Sequence, residues 1–503
     1  MSDWHVECYK IRMGVQSYMN SNVKELDKPR DHCGVFAVYG IKAAPLAIYN
    51  GLFALQHRGQ ESAGMVVSDG KEMRYCKGMG LVSDVFTGDF AEYLPGHTGI
   101  GHVRYSTTGD SSSVNVQPFL ATCRDGVWAT AHNGNLVNAA LLRDRYQKKG
   151  AIFQTTTDSE IILHQLADPV YFDKKDRIRQ ALAELRGSFA VVIGCSNCIY
   201  AARDPWGIKP LSIGKLGKGY VVSSETCAML QIGAEFIRDV APGELIKIDD
   251  NGITSMRFAE VPLSKCGQCV FEHIYFARPD SFLFGQSVYK VRSDIGRTLA
   301  KEHPVEADVV VPIPDSGVLA AMGYAHESGI PFELGFIRNH YVGRTFIMPT
   351  QGARANSVDL KLAIVPEVVA GKRVVMVDDS IVRGTTIRKR VEIMRASGAR
   401  EVHVRIACPP TRHPCYFGID FPDPSELVAS GCSVEQVKEL IGADSCGYLS
   451  IKGLSSVLNE PQHFCMGCFD GKYVCETHQA TNRQSLGRSS SGGNIRNRYR
   501  NKM

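Results

Sequence analysis

Apolar residues in the first half of the chain come as short runs rather than as helical stripes. CGVFAVYG (33–40), GVWATAHNG (126–134), GSFAVVIGC (187–195) and GYVVSSE (219–225) are strand-length segments punctuated by Gly and Asp turns. Only a few stretches, such as 158–167 and 175–185, carry a helical pattern. This half therefore predicts an α+β layer of packed sheets. The pattern changes near residues 264–272. Beyond it, ADVVVPIP (307–314), KRVVMVDD (372–379) and EVHVRIAC (401–408) alternate with helical stretches through Leu319–Ser328 and Thr386–Ser397. Strand–helix–strand alternation predicts a parallel sheet with ligands at the carboxyl ends of its strands. A boundary at about residue 260 follows.

The 503 residues suffice for two large domains, and 44% apolar with 22% charged residues excludes a disordered, collagenous or coiled-coil chain. No run approaches 18 apolar residues, so no spanning helix and no membrane partner are expected. The net charge of +5 misleads. His478–Met503 carries Arg483, Arg488, Arg496, Arg498, Arg500 and Lys502 without an acid, and setting these aside leaves 51 basic against 52 acidic residues. A neutral body carries no electrostatic footprint for nucleic acid, and the tail reads as a solvated, disordered extension. Residues 1–32 lack an apolar signal core. The sixteen cysteines are expected as reduced thiols in a cytoplasmic protein, some of them as metal ligands.

The sharpest motif is RVVMVDDSIVRGTT (373–386). An apolar strand ends in Asp378 and Asp379, a short loop follows, and Gly384-Thr385-Thr386 opens a helix. Loop N–H groups and a helix N-terminus make an anion cradle. The two acids suit ribose hydroxyls or a divalent metal beside the anion. There is no Gly-Lys-Ser/Thr ending, so it is not a Walker loop. The motif resembles that of type I phosphoribosyltransferases, which bind phosphoribosyl pyrophosphate (PRPP). The resemblance implies that Asp378 and Asp379 hold the ribose and Mg²⁺. Ser380, Ile381, Val382, Arg383, Gly384, Thr385 and Thr386 would surround the 5-phosphate, and Ser316, in VVVPIPDSG, would lie near the pyrophosphate and metal. The polar segment 338–361 offers Arg338, Arg344, Arg354 and Lys361 as a lid over pyrophosphate charge, or it is a solvated loop. His340 stands where the family's lid motif has Arg, and Asp359-Leu360 are less basic than that motif.

In the first half, CGVF at Cys33 is followed by LQHRGQESAG (55–64), GHVRYSTTG (101–109), AHNGNL (131–136), TTTDSE (155–160) and RDPWGIKPL (203–211). Together these resemble the glutamine amidotransferase domain with an N-terminal cysteine nucleophile. Joined to the PRPP motif, residues 33–475 are similar to the glutamine PRPP amidotransferase family. That resemblance implies an α+β N-terminal nucleophile (Ntn) hydrolase sandwich over 33–260. An α/β type I phosphoribosyltransferase domain with a parallel sheet would follow over 261–477, with 1–32 a propeptide and 478–503 a tail. Cys33 would be the nucleophile, with its own α-amino group, of unperturbed pKa about 8, as base. Asn133 and the Gly134 N–H would form the oxyanion hole. Arg104 would bind the glutamine α-carboxylate and Asp158 its α-ammonium. Read locally, Asn133-Gly134 is also a hairpin turn and Asp158 a helix N-cap.

Two Cys-x-x-Cys pairs, Cys266/Cys269 and Cys465/Cys468, have the spacing of a four-cysteine zinc site. The iron–sulfur branch of the family implies a different set: Cys269, Cys415, Cys465 and Cys468 around one [4Fe–4S] cluster, with Cys266 and Cys408 as structural or surface thiols. The resemblance further implies one Mg²⁺ per subunit, a homotetramer and purine nucleotide feedback inhibitors. The implied reaction takes PRPP, glutamine and water to 5-phosphoribosylamine, glutamate and pyrophosphate, the first committed step of purine synthesis. Two other readings stand beside it: a PRPP sensor without chemistry, and an amidotransferase serving another acceptor.

Overall fold

The computed structural model describes residues 33–105, 111–171, 176–339, 362–419, 421 and 424–475. The first half is two stacked antiparallel sheets, of seven and six strands. Neighbours at the centre of the seven-stranded sheet are β1 (Gly34–Tyr39), β2 (Ser62–Ser68), β3 (Thr98–Arg104) and β7 (Gly219–Ser223), in the order β7-β1-β3-β2. The six-stranded sheet is built around β4 (Gly126–Leu136), β5 (Gly187–Cys195) and β6 (Cys198–Arg203).

The unbroken apolar run of β1 is explained by its two faces. Val35, Ala37 and Tyr39 enter the layer between the sheets, with Ala129, Ala131, Ala190 and Val192 opposite. Phe36 and Val38 face outward into a second core beneath α1 (Ala44–Ala54) and α3 (Thr226–Gln231). The outer face of the other sheet is covered by α2 (Glu160–Leu166) and its neighbours, against Phe189, Val191 and Ile193. Strands covered on both faces lose the polar–apolar alternation of a half-exposed sheet. The last strand of the six-stranded sheet, in chain order, ends at Arg257.

The second half has a four-stranded parallel sheet with strands in chain order: β9 (Val309–Pro312), β10 (Arg373–Asp378), β11 (Glu401–Ile406) and β12 (Ser445–Tyr448). A separate two-residue parallel pairing joins β8 (Gln268–Cys269) to β13 (Phe464–Cys465). Helices α4 (Val288–Glu302), α5 (Val318–Ser328) and α6 (Thr385–Ala396) are the principal long helices of this half. α4 and α5 cross so closely that a Cβ on Gly296 would fall 1.9 Å from the Ala320 carbonyl oxygen. A Cβ on Gly323 would fall 2.0 Å from that of Ser293.

Two sequence expectations change. Cys195 and Cys198 form a disulfide rather than two thiols. They are the terminal pair of the β5–β6 hairpin, and a Cα separation of 5.2 Å lies within bridging range. Asn133-Gly134 is not a hairpin turn but lies inside β4, paired with Ala190 and Phe189 of β5. Residues 1–32, expected as a propeptide, and 478–503, expected as a tail, lie outside the described residues, as do His340, Arg344, Arg354, Asp359, Leu360 and Lys361.

The α4–α5 crossing tolerates no side chain at Gly296. Gly296→Val is expected to cost about 2–3 kcal/mol through forced separation of the helices. A urea midpoint equal to that of the parent would show that the crossing can open without loss.

Candidate active sites and the contact between them

Cys33 stands one residue before β1, with a left-handed backbone (φ 76°), and its thiol lies 3.7 Å from the Tyr105 carbonyl oxygen. Because Gly34 pairs with Val103, strand register brings the start of β1 beside the end of β3, where Arg104 lies buried. Arg104 donates to Glu61 at 2.9 Å. Two residues earlier, His102 sits 3.1 Å from the carbonyl oxygen of His132 and so ties β3 to β4 one residue before Asn133. Asn133 is fully buried, and neither polar atom of its amide has a hydrogen-bond partner among the described residues. Such a group costs free energy unless a ligand completes it. At Gly134 any Cβ would meet the Ser188 carbonyl oxygen at 2.1 Å, so only glycine fits.

Asp158 does not cap α2. Its carboxylate accepts the Leu136 N–H at 2.8 Å and the Ser159 hydroxyl at 3.2 Å. Ser159 in turn is 2.9 Å from Nδ1 of His132. Burial pushes the pKa values of His132 and His102 down, that of His102 to about 3, so both rings are neutral at physiological pH. The loop carrying Asp158 is shaped by Glu160, which the sequence reading passed over. Glu160 accepts the backbone N–H groups of Gln154 and Thr155, both at 2.8 Å, and the Thr155 hydroxyl at 2.7 Å. Burial alone would raise its pKa. The bonds from His164, Gln154 and Thr155 outweigh burial and bring it down to about 2.

In the second half, β10 delivers Asp378 and Asp379 to its carboxyl end, both buried. The Asp379 N–H donates to the Asp378 carboxylate at 2.9 Å, and Asp379 accepts from Ser316 at 2.6 Å and Ser380 at 2.7 Å. Ser316, in the turn that follows the neighbouring strand β9, is thus brought to the pair. Ile381 and Val382 are buried, while Arg383 turns to Glu426, with Nε at 2.8 Å. Gly384 (φ 84°) leads directly into Thr385, Thr386 and α6. Arg338 pairs with Asp315.

The cysteines sort themselves. β8 and β13 place Cys269 opposite Cys465, and the backbone N–H groups of Arg412 and His413 reach the Cys468 carbonyl oxygen at 2.9 and 3.0 Å. The Phe417 N–H donates to the Cys415 sulfur at 3.3 Å. Burial pushes the thiols of Cys269, Cys465 and Cys468 up, that of Cys465 to about 12, and Cys415 adds to each. Burial also pushes the Cys266 thiol up, with Arg203 and Asp204 among its charged neighbours. Cys266 and Cys408 are both buried rather than surface thiols. Among the described residues no group of three or more His, Cys, Asp or Glu side chains has the arrangement of a formed metal site.

The segment after Cys415 touches the first half. The Asn135 amide donates to the Tyr416 carbonyl at 2.9 Å, and the Ser188 hydroxyl to that of Phe417 at 2.7 Å. A Cβ on Gly418 would lie 3.3 Å from the Gly134 carbonyl carbon. The two halves of the chain therefore meet at the residues flanking Asn133.

Comparison with known proteins decides the family. A glutamine amidotransferase domain model matches residues 102–231 and a phosphoribosyl transferase domain model residues 288–423. The chain is 49% identical to the amidophosphoribosyltransferase of Methanocaldococcus jannaschii, over 89% of this chain and 98% of that protein. It is 46% identical to that of Bacillus subtilis, over 91% and 97%.

The chain belongs to the amidophosphoribosyltransferase family.

A solved structure of the B. subtilis glutamine PRPP amidotransferase with ADP and GMP superposes with a TM-score of 0.84 at 47% identity, covering 89% of this chain and 98% of that one. A structure described as the allosteric regulatory enzyme of purine biosynthesis gives the same TM-score, over 97% of its chain. The fold is accordingly an Ntn-hydrolase sandwich followed by a type I phosphoribosyltransferase sheet. The sensor and other-acceptor readings lose their ground, since relatives over nearly the whole chain are amidophosphoribosyltransferases. Among the described residues no helix is long and apolar enough to cross a membrane.

Glu160 provides a pH test of the loop that presents Asp158. Its folded pKa is depressed, so its stabilising contribution is present above about pH 4.5 and is lost as pH falls toward 2. Glu160→Gln is expected to lower the melting temperature at pH 7, with the gap to the parent closing as pH falls through that window. A gap that does not depend on pH would assign the loss to packing instead.

Proposed function

We propose that this chain performs the reaction of its family with the residues named below. Glutamine, PRPP and water give 5-phosphoribosylamine, glutamate and pyrophosphate. The Cys33 sulfur attacks the glutamine carboxamide while the Cys33 α-amine takes the thiol proton. This needs residues 1–32 to be removed as a propeptide. The developing oxyanion is held by the Asn133 amide and the Gly134 N–H, Arg104 binds the substrate carboxylate and Asp158 its ammonium. The amine returns its proton to the departing ammonia, and water then releases glutamate from the thioester. Ammonia attacks the anomeric carbon of PRPP as pyrophosphate leaves.

The observation that carries this reading is the buried Asn133 amide, unpartnered beside the nucleophile strand, in a chain that also holds an acid pair leading into Gly384-Thr385-Thr386. Asp378 and Asp379 would position the ribose, with residues 380–386 around the 5-phosphate and Arg344 and Lys361 over the pyrophosphate. Oxygen donors from Ser316, Asp378 and Asp379 suit Mg²⁺, which when bound supplies charge against the leaving pyrophosphate. An all-sulfur set of Cys269, Cys415, Cys465 and Cys468 suits a [4Fe–4S] cluster, and the N–H donated to the Cys415 sulfur fits a thiolate there. Such a cluster ties β13 to the segment that abuts Gly134 and has no redox part in the reaction. We further propose a cytoplasmic homotetramer inhibited by purine nucleotides, in line with the ADP and GMP complex of the B. subtilis relative.

Cys33→Ala is expected to abolish glutamine-dependent phosphoribosylamine formation while leaving the ammonia-dependent reaction within about twofold. Asp379→Asn should suppress both routes by about 100-fold or more, as an electrostatic contact to the reacting group implies. Equal loss of the two routes in Cys33→Ala would refute the two-site division. Anaerobically purified protein is expected to contain four iron and four sulfide per chain, and stoichiometric zinc would replace the cluster reading.

A further inference from the structure

The Cys33 nitrogen is itself held. Its N–H donates to the carbonyl oxygen of Arg58 at 3.2 Å. From that anchoring residue the side chain runs into the interior, with no exposed guanidinium surface. Nε pairs with Glu225, at the entrance to α3. The terminal nitrogens lie 3.4 and 2.5 Å from Glu272, which belongs to the phosphoribosyltransferase half three residues after Cys269. Glu225 is saturated by further donors: His57 at 2.7 Å, the Arg278 N–H at 2.9 Å and the Ser281 hydroxyl at 2.7 Å. A second buried guanidinium, Arg292, is fixed on the carbonyls of His273 at 2.7 Å and Ala277 at 2.8 Å. Its acidic electrostatic partners are Asp379, Glu225 and Glu272. Buried alternating charge thus runs from the acid pair of one site to the backbone carbonyl that holds the nucleophile's nitrogen in the other.

We propose that Arg58 is a positioning residue for the α-amine of Cys33, and that Glu272 makes that positioning depend on the phosphoribosyltransferase half. This rests on the reading of Cys33 as an N-terminal nucleophile. A primary amine has one lone pair, which must point at its own sulfur to accept the thiol proton. Committing one N–H to the Arg58 carbonyl restricts the remaining orientations. The proton then passes to the departing ammonia, so the amine is restored each cycle. If Glu272 loses its charge, Arg58 is drawn toward Glu225 alone and its carbonyl shifts with it. Removing a negative charge near the amine also lowers the amine's pKa.

The test uses Glu272→Gln, which preserves shape, and Arg58→Lys, which keeps the charge but loses the two-pronged contact. All assays use protein processed to begin at Cys33. Glutaminase kcat with PRPP and Mg²⁺ is expected to fall roughly tenfold in Glu272→Gln, with the glutamine KM and the ammonia-dependent rate within about twofold. The acid limb of its pH–kcat profile should move to lower pH. The double variant should be no slower than the slower single variant, because both changes cut one connection. Unchanged glutaminase, a pH profile that stays in place, effects that multiply, or parallel loss of the ammonia-dependent rate would each overturn the proposal. A processed parent without glutaminase activity would overturn the nucleophile reading and this proposal with it. An active parent beside an unaffected Glu272→Gln overturns this proposal alone.

Discussion

The buried ion cluster of Arg58, Glu225 and Glu272 is the contact on which the relation between the two halves depends. Burying an ion costs several kcal/mol, and such a cluster persists only when every charge is paired and hydrogen-bonded. Here the completion comes from both sides of the chain. Glu225 belongs to the sandwich, yet its carboxylate is filled by Arg278 and Ser281 from beyond the boundary. Arg58 is likewise shared between one carboxylate from each half. Neither half alone can satisfy these charges, so the sandwich and the parallel sheet are electrostatically one object at this point.

A second contact joins the halves where Asn135 and Ser188 donate to the backbone of Tyr416 and Phe417. It lies beside Asn133, whereas the ion cluster lies behind Cys33. The surroundings of Cys33 and of Asn133 are therefore both contacted from the phosphoribosyltransferase half. This dual contact gives a physical basis for coupling between the two halves of one chain.

Much of this was legible in the sequence, because the informative residues are ones that local chemistry forces. Strand runs at 33–40, 187–195, 372–379 and 401–408 became strands within two residues of each end, and the acids at the end of 372–379 fell at the carboxyl end of a parallel strand. Asn133-Gly134 misled as a turn, since Asn-Gly is a strong hairpin signal. Here the glycine is needed for close approach to Ser188 inside a strand. The Asp158 cap reading failed for a related reason, as its carboxylate serves a strand N–H rather than a helix. Arg58, Glu225 and Glu272 were not singled out because their partners lie far away along the chain. A buried charge is indistinguishable from a surface one until its counter-ion, here up to 214 positions away, is known.

The approach of Gly418 to Gly134 bears on the evolution of the molecule. Two glycines meet there, flanked by Asn135 and Ser188 of one half, which spend their hydrogen bonds on main-chain carbonyls of the other. Splitting the gene between the halves would expose these groups and the ion cluster to water in both products. Each fragment would then have to acquire compensating substitutions before it could persist alone. Backbone complementarity of this kind is not repaired by single point changes, so it favours keeping both halves on one chain.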